Sequence, residues 1–173
     1  MIQLLLRHND DKGGFMKQLS VIGLDQKKAE KLGDKLNELL SNYQVFYMNV
    51  RGFHWNIKGE RFFELHAKFE ETYDDLLLKI DEIAERILTL GQRPQHAYST
   101  YIKNSEIEEV KDVHEGRACV ANILDSYQTT IRLQREILEI SDEAGDEGTN
   151  ALMSDYIKEQ EKTAWMLTSY LGN

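Results

Sequence analysis

The chain has 173 residues, 41% of them hydrophobic and 29% charged, with a net charge of −9, which suits one domain with a substantial core. No apolar run reaches membrane-spanning length, and the negative charge opposes attraction to nucleic acid or anionic membranes. The one cysteine, Cys119, excludes an internal disulfide framework and fits a reducing compartment, so the cytoplasm is the expected location.

Residues 1–24 read as an N-terminal extension, a mobile tail or a segment packed on the outside, and residues 25–173 as the folded domain. The apolar start is too short for a secretory signal and lacks a small-residue cleavage site. Met16 is a second candidate start. Asp25 is a plausible N-cap for a first long helix. Leu32, Leu36, Leu39, Leu40, Tyr43, Phe46, Tyr47, Val50 and Phe53 then recur at helical spacing as far as about residues 56–59. A second helix is expected over about 60–90, with Phe62, Leu65, Phe69, Tyr73, Leu76, Leu77, Ile80, Ile83, Ala84 and Ile87 toward the core. Gly91 and then Pro94 stop it.

A long connection follows, over about 92–113, with Tyr98 and Tyr101 on a short helix of its own. A third long helix is expected over about 114–140, then an acidic, Gly-containing loop over 141–148, then a fourth helix to Leu171 through Leu152, Tyr156, Met166, Leu167 and Tyr170. Two short links and one long crossover describe an all-α four-helix bundle in which the second and third long helices run parallel. The single proline fits such long helices.

The chemistry concentrates between His54 and Arg86. His66 and Glu70 are four residues apart, as are Asp81 and Glu85, so each pair projects from one helix face. Imidazole with carboxylate suits iron or another first-row metal. Spacing alone leaves both a solvated face and a metal site open, and the Glu-x-x-His motif of larger ferritin-like bundles is absent.

His54-Trp55-Asn56-x-x-Gly59, Phe62-Phe63-x-Leu65-His66, Phe69-Glu70 and Asp81-x-x-Ala84-Glu85-Arg86 resemble the Dps family of mini-ferritins, the DNA-binding proteins from starved cells. The similarity runs from about Leu32 to Leu171. It implies a ferritin-like four-helix subunit of a hollow homododecamer built from dimers. Such shells oxidise Fe(II), preferentially with hydrogen peroxide, at a diiron centre and store the Fe(III) mineral.

By position, the resemblance makes His54, His66, Glu70, Asp81 and Glu85 the metal ligands. Glu70 stands where the family usually has Asp, and its extra methylene adds about 1.5 Å of reach, which bears on the strength of the second metal position. Trp55 matches a family aromatic beside the centre and is the catalytic candidate, a quencher or relay of radical oxidants. Asp142 and Glu147 match acidic positions of an iron-entry pore, with Ala151 where some relatives have another acid. Glu71 and Asp74 are candidates for mineral nucleation, with surface solvation the plainer reading.

The ligand set also carries a geometric constraint. Glu70 and Asp81 are eleven residues apart on what reads as one helix, roughly 16 Å along its axis. Ligands of one centre must converge within a few ångströms of the ion. The site is therefore expected to be shared, with Asp81 and Glu85 of one chain facing His54, His66 and Glu70 of another.

DNA binding is the competing function, as in a nucleoid protein with weak or no ferroxidase activity. Residues 1–20 set Arg7, Lys12 and Lys17 against Asp10 and Asp11. Phosphate affinity scales with the cations engaged, so weak or no binding is expected. Multivalency across twelve subunits is the feature that would raise it. A third reading is a structural bundle whose metal site has been lost.

Overall fold

The computed structural model describes residues 19–172. It contains α1 (Gln26–Asn56), α2 (Phe62–Thr89), α3 (Tyr98–Asn104), α4 (Gly116–Ala144) and α5 (Glu147–Leu171), with no strand among the described residues beyond two isolated bridges. Four long helices with a crossover between α2 and α4 form the four-helix bundle that the spacing predicts. The expectations for residues 1–18, including Met16 and most of the tail charge, lie outside the described residues.

Local signals set the helix ends. The Asp25 side chain accepts from the Lys28 amide at the start of α1. At the start of α4 the Glu115 carboxylate accepts from the amides of Arg117 and Ala118, and these bonds hold its pKa below the ordinary range. Gly91, at φ +79°, closes α2 by a turn in which the Gln92 amide donates to the Ile87 carbonyl.

The second link differs from expectation. The third long helix continues past Ile140 to Ala144, so Asp142 and Glu143 are helical and the connection is only Gly145 and Asp146. Acidic residues in a last turn cost a helix a fraction of a kcal/mol, about 0.3–1, which does not stop it. The stop comes from Gly145 in the left-handed region at φ +68°.

The core is centred on α1, which buries Leu32, Leu36, Leu39, Leu40, Tyr43, Phe46, Val50 and Phe53. Phe69, Leu76, Ile83 and Ile87 of α2, Ile123, Tyr127 and Ile137 of α4, and Met153 and Tyr156 of α5 complete it. Two expected core residues are not in it. Met166 is exposed, and Leu77 is 49% exposed. Leu77 lies four residues from both Tyr73 and Asp81, so it belongs to the outer stripe of α2 and not to the face packed on α1.

Long polar side chains span the seam between α2 and α5. Lys79, only 4% exposed, pairs with Asp75 on its own helix and with Glu159 of α5, and its ammonium lies over the Tyr156 ring. The Tyr156 hydroxyl donates to Glu82. Arg86 donates to Asp146 and to the Thr149 hydroxyl.

The crossover is tied to α1 by three buried asparagines. Asn37 donates to the Arg93 carbonyl and accepts from the Gln95 amide. The Asn42 oxygen accepts from the Ser105 hydroxyl and from the amides of Glu106 and Ile107. Asn49 donates to the Glu108 carbonyl and accepts from the Val110 amide. Backbone groups that no helix or sheet would satisfy are thereby paired.

Candidate metal centre

The tight turn between α1 and α2 folds the start of α2 back along the end of α1. This brings His54 and His66 face to face, with ring centroids 3.8 Å apart and planes within 20°. Each ring holds the other's backbone. His54 Nδ1 lies 2.8 Å from the His66 carbonyl, and His66 Nδ1 lies 2.9 Å from the His54 carbonyl. A carbonyl only accepts, so both Nδ1 atoms carry the proton and donate. In the neutral rings the lone pair is left on Nε2, the form that ligates a metal. The Phe62 ring continues the stack on His66, and Tyr73 meets His54 edge-on at 5.3 Å.

Glu70 follows His66 by one turn and is exposed. Its Oε1 accepts a hydrogen bond from the Tyr73 hydroxyl at 3.4 Å. Desolvation, then the charges of Glu70 and Asp74, raise the Tyr73 phenol above its ordinary value. Trp55 is exposed and does not join the histidine stack. Its indole lies under the Arg51 guanidinium, 5.0 Å from ring centroid to carbon, and the same guanidinium lies 5.6 Å from the Tyr47 and Tyr73 centroids.

Asp81 and Glu85 are exposed further along α2. His66, Glu70, Tyr73, Leu77, Asp81, Glu85 and Leu88 recur at intervals of three or four residues and so form one stripe on the helix. Within one chain the two halves do not close, and His54, His66 and Glu70 do not by themselves gather around one point: among the described residues no three His, Cys, Asp or Glu side chains converge. The same stripe carries Leu77 and Leu88, 49% and 59% exposed, around and between the carboxylates.

Asp142 and Glu147 are both exposed and flank the two-residue link between α4 and α5. Ala151 is exposed on the second turn of α5. Glu71 pairs with Lys68 at 2.9 Å, the solvated-surface alternative, and Asp74 is exposed.

The acid that organises this corner is Asp146, which sequence reasoning did not single out. It is 4% exposed, caps α5 through the Thr149 amide, and binds Arg86. Burial would push its carboxyl up, but the bonds from Thr149 and Arg86 prevail and hold it below the ordinary range. An Asp three residues before a Thr at a helix start is the signal that marks such a cap. Arg51, Tyr73 and the reciprocal backbone bonds of the histidines were also missed. Of these, only the four-residue spacing of Tyr47, Arg51 and Trp55 is visible in the sequence.

Four long helices joined by one long crossover form a ferritin-like bundle, and the ferritin-like domain family matches residues 33–173. The chain belongs to the Dps branch of that family. It is 44% identical over 154 residues to the DNA protection during starvation protein of Porphyromonas gingivalis, covering 89% of this chain and 97% of the relative. It is 58% identical over 145 residues to an uncharacterized protein of Haemophilus influenzae, covering 84% of this chain and 91% of that one. Its fold matches the crystal structure of the DPS protein from Vibrio cholerae O1, described as a member of a broad superfamily of ferritin-like diiron-carboxylate proteins. That match has a TM-score of 0.88 and 56% identity, and covers 91% of this chain and 99% of the other. No helix among the described residues is long and apolar enough to cross a membrane.

Proposed function

We propose that this protein is a cytoplasmic ferroxidase that oxidises Fe(II), preferentially with hydrogen peroxide, at diiron sites shared between two chains, and stores the Fe(III) mineral inside a dodecameric shell. The observation that carries the reading is the histidine pair, whose Nδ1 atoms are engaged by backbone carbonyls so that both Nε2 lone pairs are left free, with Glu70 one helical turn beyond His66. Asp81 and Glu85 stand on the same stripe, roughly 16 Å or more along the axis from Glu70. A two-fold partner running antiparallel brings its own Asp81 and Glu85 opposite this half-site. Leu77 and Leu88, exposed in the single chain, then supply apolar area for that contact.

The donor set fits the chemistry. Imidazole nitrogen helps hold Fe(II), and carboxylate oxygen favours the harder Fe(III). Peroxide takes one electron from each of two Fe(II). With two protons supplied, the products are two Fe(III) and two waters, and no hydroxyl radical is released. Trp55, over Arg51 at the rim, is the candidate for intercepting an oxidant that escapes the site. Asp142 and Glu147, brought together with their symmetry mates around a three-fold axis, form an acidic ring that concentrates Fe(II).

Anaerobic loading with Fe(II), followed by separate additions of peroxide and oxygen, tests the activity. Faster oxidation with peroxide is expected, and oxidation no faster than buffer with either oxidant refutes it. Complementation tests the sharing. A His66→Ala chain mixed with an Asp81→Ala, Glu85→Ala chain regains one intact site per mixed dimer, so activity returns in part. Verified mixed dimers as inactive as both parents would exclude a shared site.

The name of the Porphyromonas gingivalis relative points to DNA protection. Consuming Fe(II) and peroxide together removes both reagents of hydroxyl-radical formation, and so protects DNA without contact.

A further inference from the structure

We propose that Tyr73 is a positioning residue that sets the affinity of the second metal position through its hydrogen bond to Glu70. The inference rests on the reading of His54, His66 and Glu70 as metal donors. Tyr73 touches both kinds of donor. Its ring meets the edge of His54 at 5.3 Å and 81°, and its hydroxyl donates to Glu70 Oε1 at 3.4 Å.

The phenol is itself held on its other sides. Tyr47 meets it edge-on at 6.2 Å, and the Arg51 guanidinium carbon lies 5.6 Å from its centroid. Arg51 is fixed in turn. It donates to the Tyr47 hydroxyl and lies over the faces of Tyr47, Trp55 and Tyr73, while its buried Nε finds no acceptor among the described residues. The aromatic rings, with the Tyr47 hydroxyl, therefore hold this cation in place, and it braces Tyr73 against the histidine.

The length of Glu70 gives the hydroxyl its role. A glutamate has one more rotatable bond than an aspartate, so its carboxylate samples more positions before a metal arrives. Tyr73 is three residues on along the same helix, within reach of the longer side chain. Its hydrogen bond engages one carboxylate oxygen and leaves Oε2 for a metal. The shorter aspartate side chain would leave its carboxylate short of the phenol. Tyr73 and Glu70 thus act as a pair, with the phenol restraining the freedom that the extra methylene adds.

The test uses the full-length protein titrated with Co(II) under anaerobic conditions, followed by calorimetry and by the visible absorption of the bound ion. The chains compared are the wild type, Tyr73→Phe, Glu70→Asp and the double variant. Tyr73→Phe keeps the ring on His54 and removes only the hydroxyl. The weaker of the two Co(II) sites is expected to lose about three- to tenfold in affinity and to change its absorption, the scale set by one exposed hydrogen bond to a charged group. The tighter site is expected to stay as it is. In the Glu70→Asp background the same Tyr73→Phe change is expected to do nothing.

Superimposable isotherms and spectra for wild type and Tyr73→Phe overturn the proposal. So does an equal loss in the Glu70→Asp background, which assigns the effect to ring packing. A wild type whose Co(II) binding is unchanged by His66→Ala overturns both this inference and the metal-site reading beneath it.

Discussion

Arg86 Nη2 donates to Asp146 Oδ1 at 2.5 Å, and this contact joins the helix that carries Asp81 and Glu85 to the first turn of α5. Both side chains are largely removed from water. Asp146→Asn keeps a capping oxygen but leaves Arg86 without its charge partner, and is expected to cost about 2–4 kcal/mol at neutral pH. The native carboxyl titrates below its unfolded value, so its contribution is complete above roughly pH 4 and is lost as pH falls through the lower folded pKa. Denaturant unfolding should therefore show the gap between wild type and variant narrowing in acid. A gap that stays constant with pH would exclude the ionic contribution.

Gly148→Ala tests the same corner from the other side. A Cβ there would lie 2.9 Å and 3.0 Å from the two terminal nitrogens of Arg86. The guanidinium must swing away from Asp146, at an expected cost of about 1–2 kcal/mol. Combined with Asp146→Asn, the loss should be less than the sum, because both changes break one interaction. Full additivity in denaturant melts would mean that Gly148 acts independently of Arg86.

Lys79 sits among more acid than it can balance. Asp75 and Glu159 bind it, and Glu82 is close enough to raise the Asp75 pKa. Burial is the largest influence raising that pKa, and Lys79 opposes it. Lys79→Met keeps most of the stem and removes the opposing charge, at an expected cost of about 2–3 kcal/mol, moderated by the exposure of the partners. An acid whose folded pKa exceeds its unfolded value favours folding as pH drops. The variant should thus recover stability as pH falls toward the ordinary carboxylate range and Asp75 takes up a proton. Melting curves whose difference from wild type does not move with pH would contradict this.

Cys119 is fully buried, and desolvation together with the nearby Glu115 charge pushes its thiol up to about 11. At neutral pH it should not react with an aromatic disulfide reagent in the native protein, and should react stoichiometrically once unfolded. Rapid native labelling would show that α4 opens at Cys119 on the timescale of the assay.

For DNA, the expected result is no stable complex near physiological salt, because the chain carries a net charge of −9. An electrophoretic shift of linear DNA by the iron-free, full-length protein under those conditions would overturn this.

The four long helices were legible because each carries its own apolar spacing, and Asp25 and Gly91 mark their ends with local chemistry. Leu77 was misplaced because periodicity identifies an apolar position without saying which partner it faces. On α2 it shares the stripe of the carboxylates. The acidic segment after Ile140 read as a loop, although only Gly145 within it takes up the left-handed backbone that ends the helix. The five ligand candidates were legible from the family motif. Their support was not, since the reciprocal histidine bonds and the Tyr73 brace exist only once the start of α2 lies against the end of α1. The pairing of Asp146 with Arg86 was hidden for the same reason, the two being sixty residues apart in the chain.

The asparagines at 37, 42 and 49 make the crossover something other than a loop. By shape it wanders, but by hydrogen bonding it resembles an edge strand whose neighbour has been reduced to three rungs. The amides of Gln95, Glu106, Ile107 and Val110 are held by side chains and not by a ladder. The length of this segment is consequently constrained by its hydrogen bonds. The stretch between the first two rungs is pinned as well, since α3 buries Tyr101, whose hydroxyl donates to the Gln95 carbonyl. The stretch from Glu106 to Val110, clamped at both ends, cannot change length without unhooking a rung, and it carries the register of the whole return path to α4.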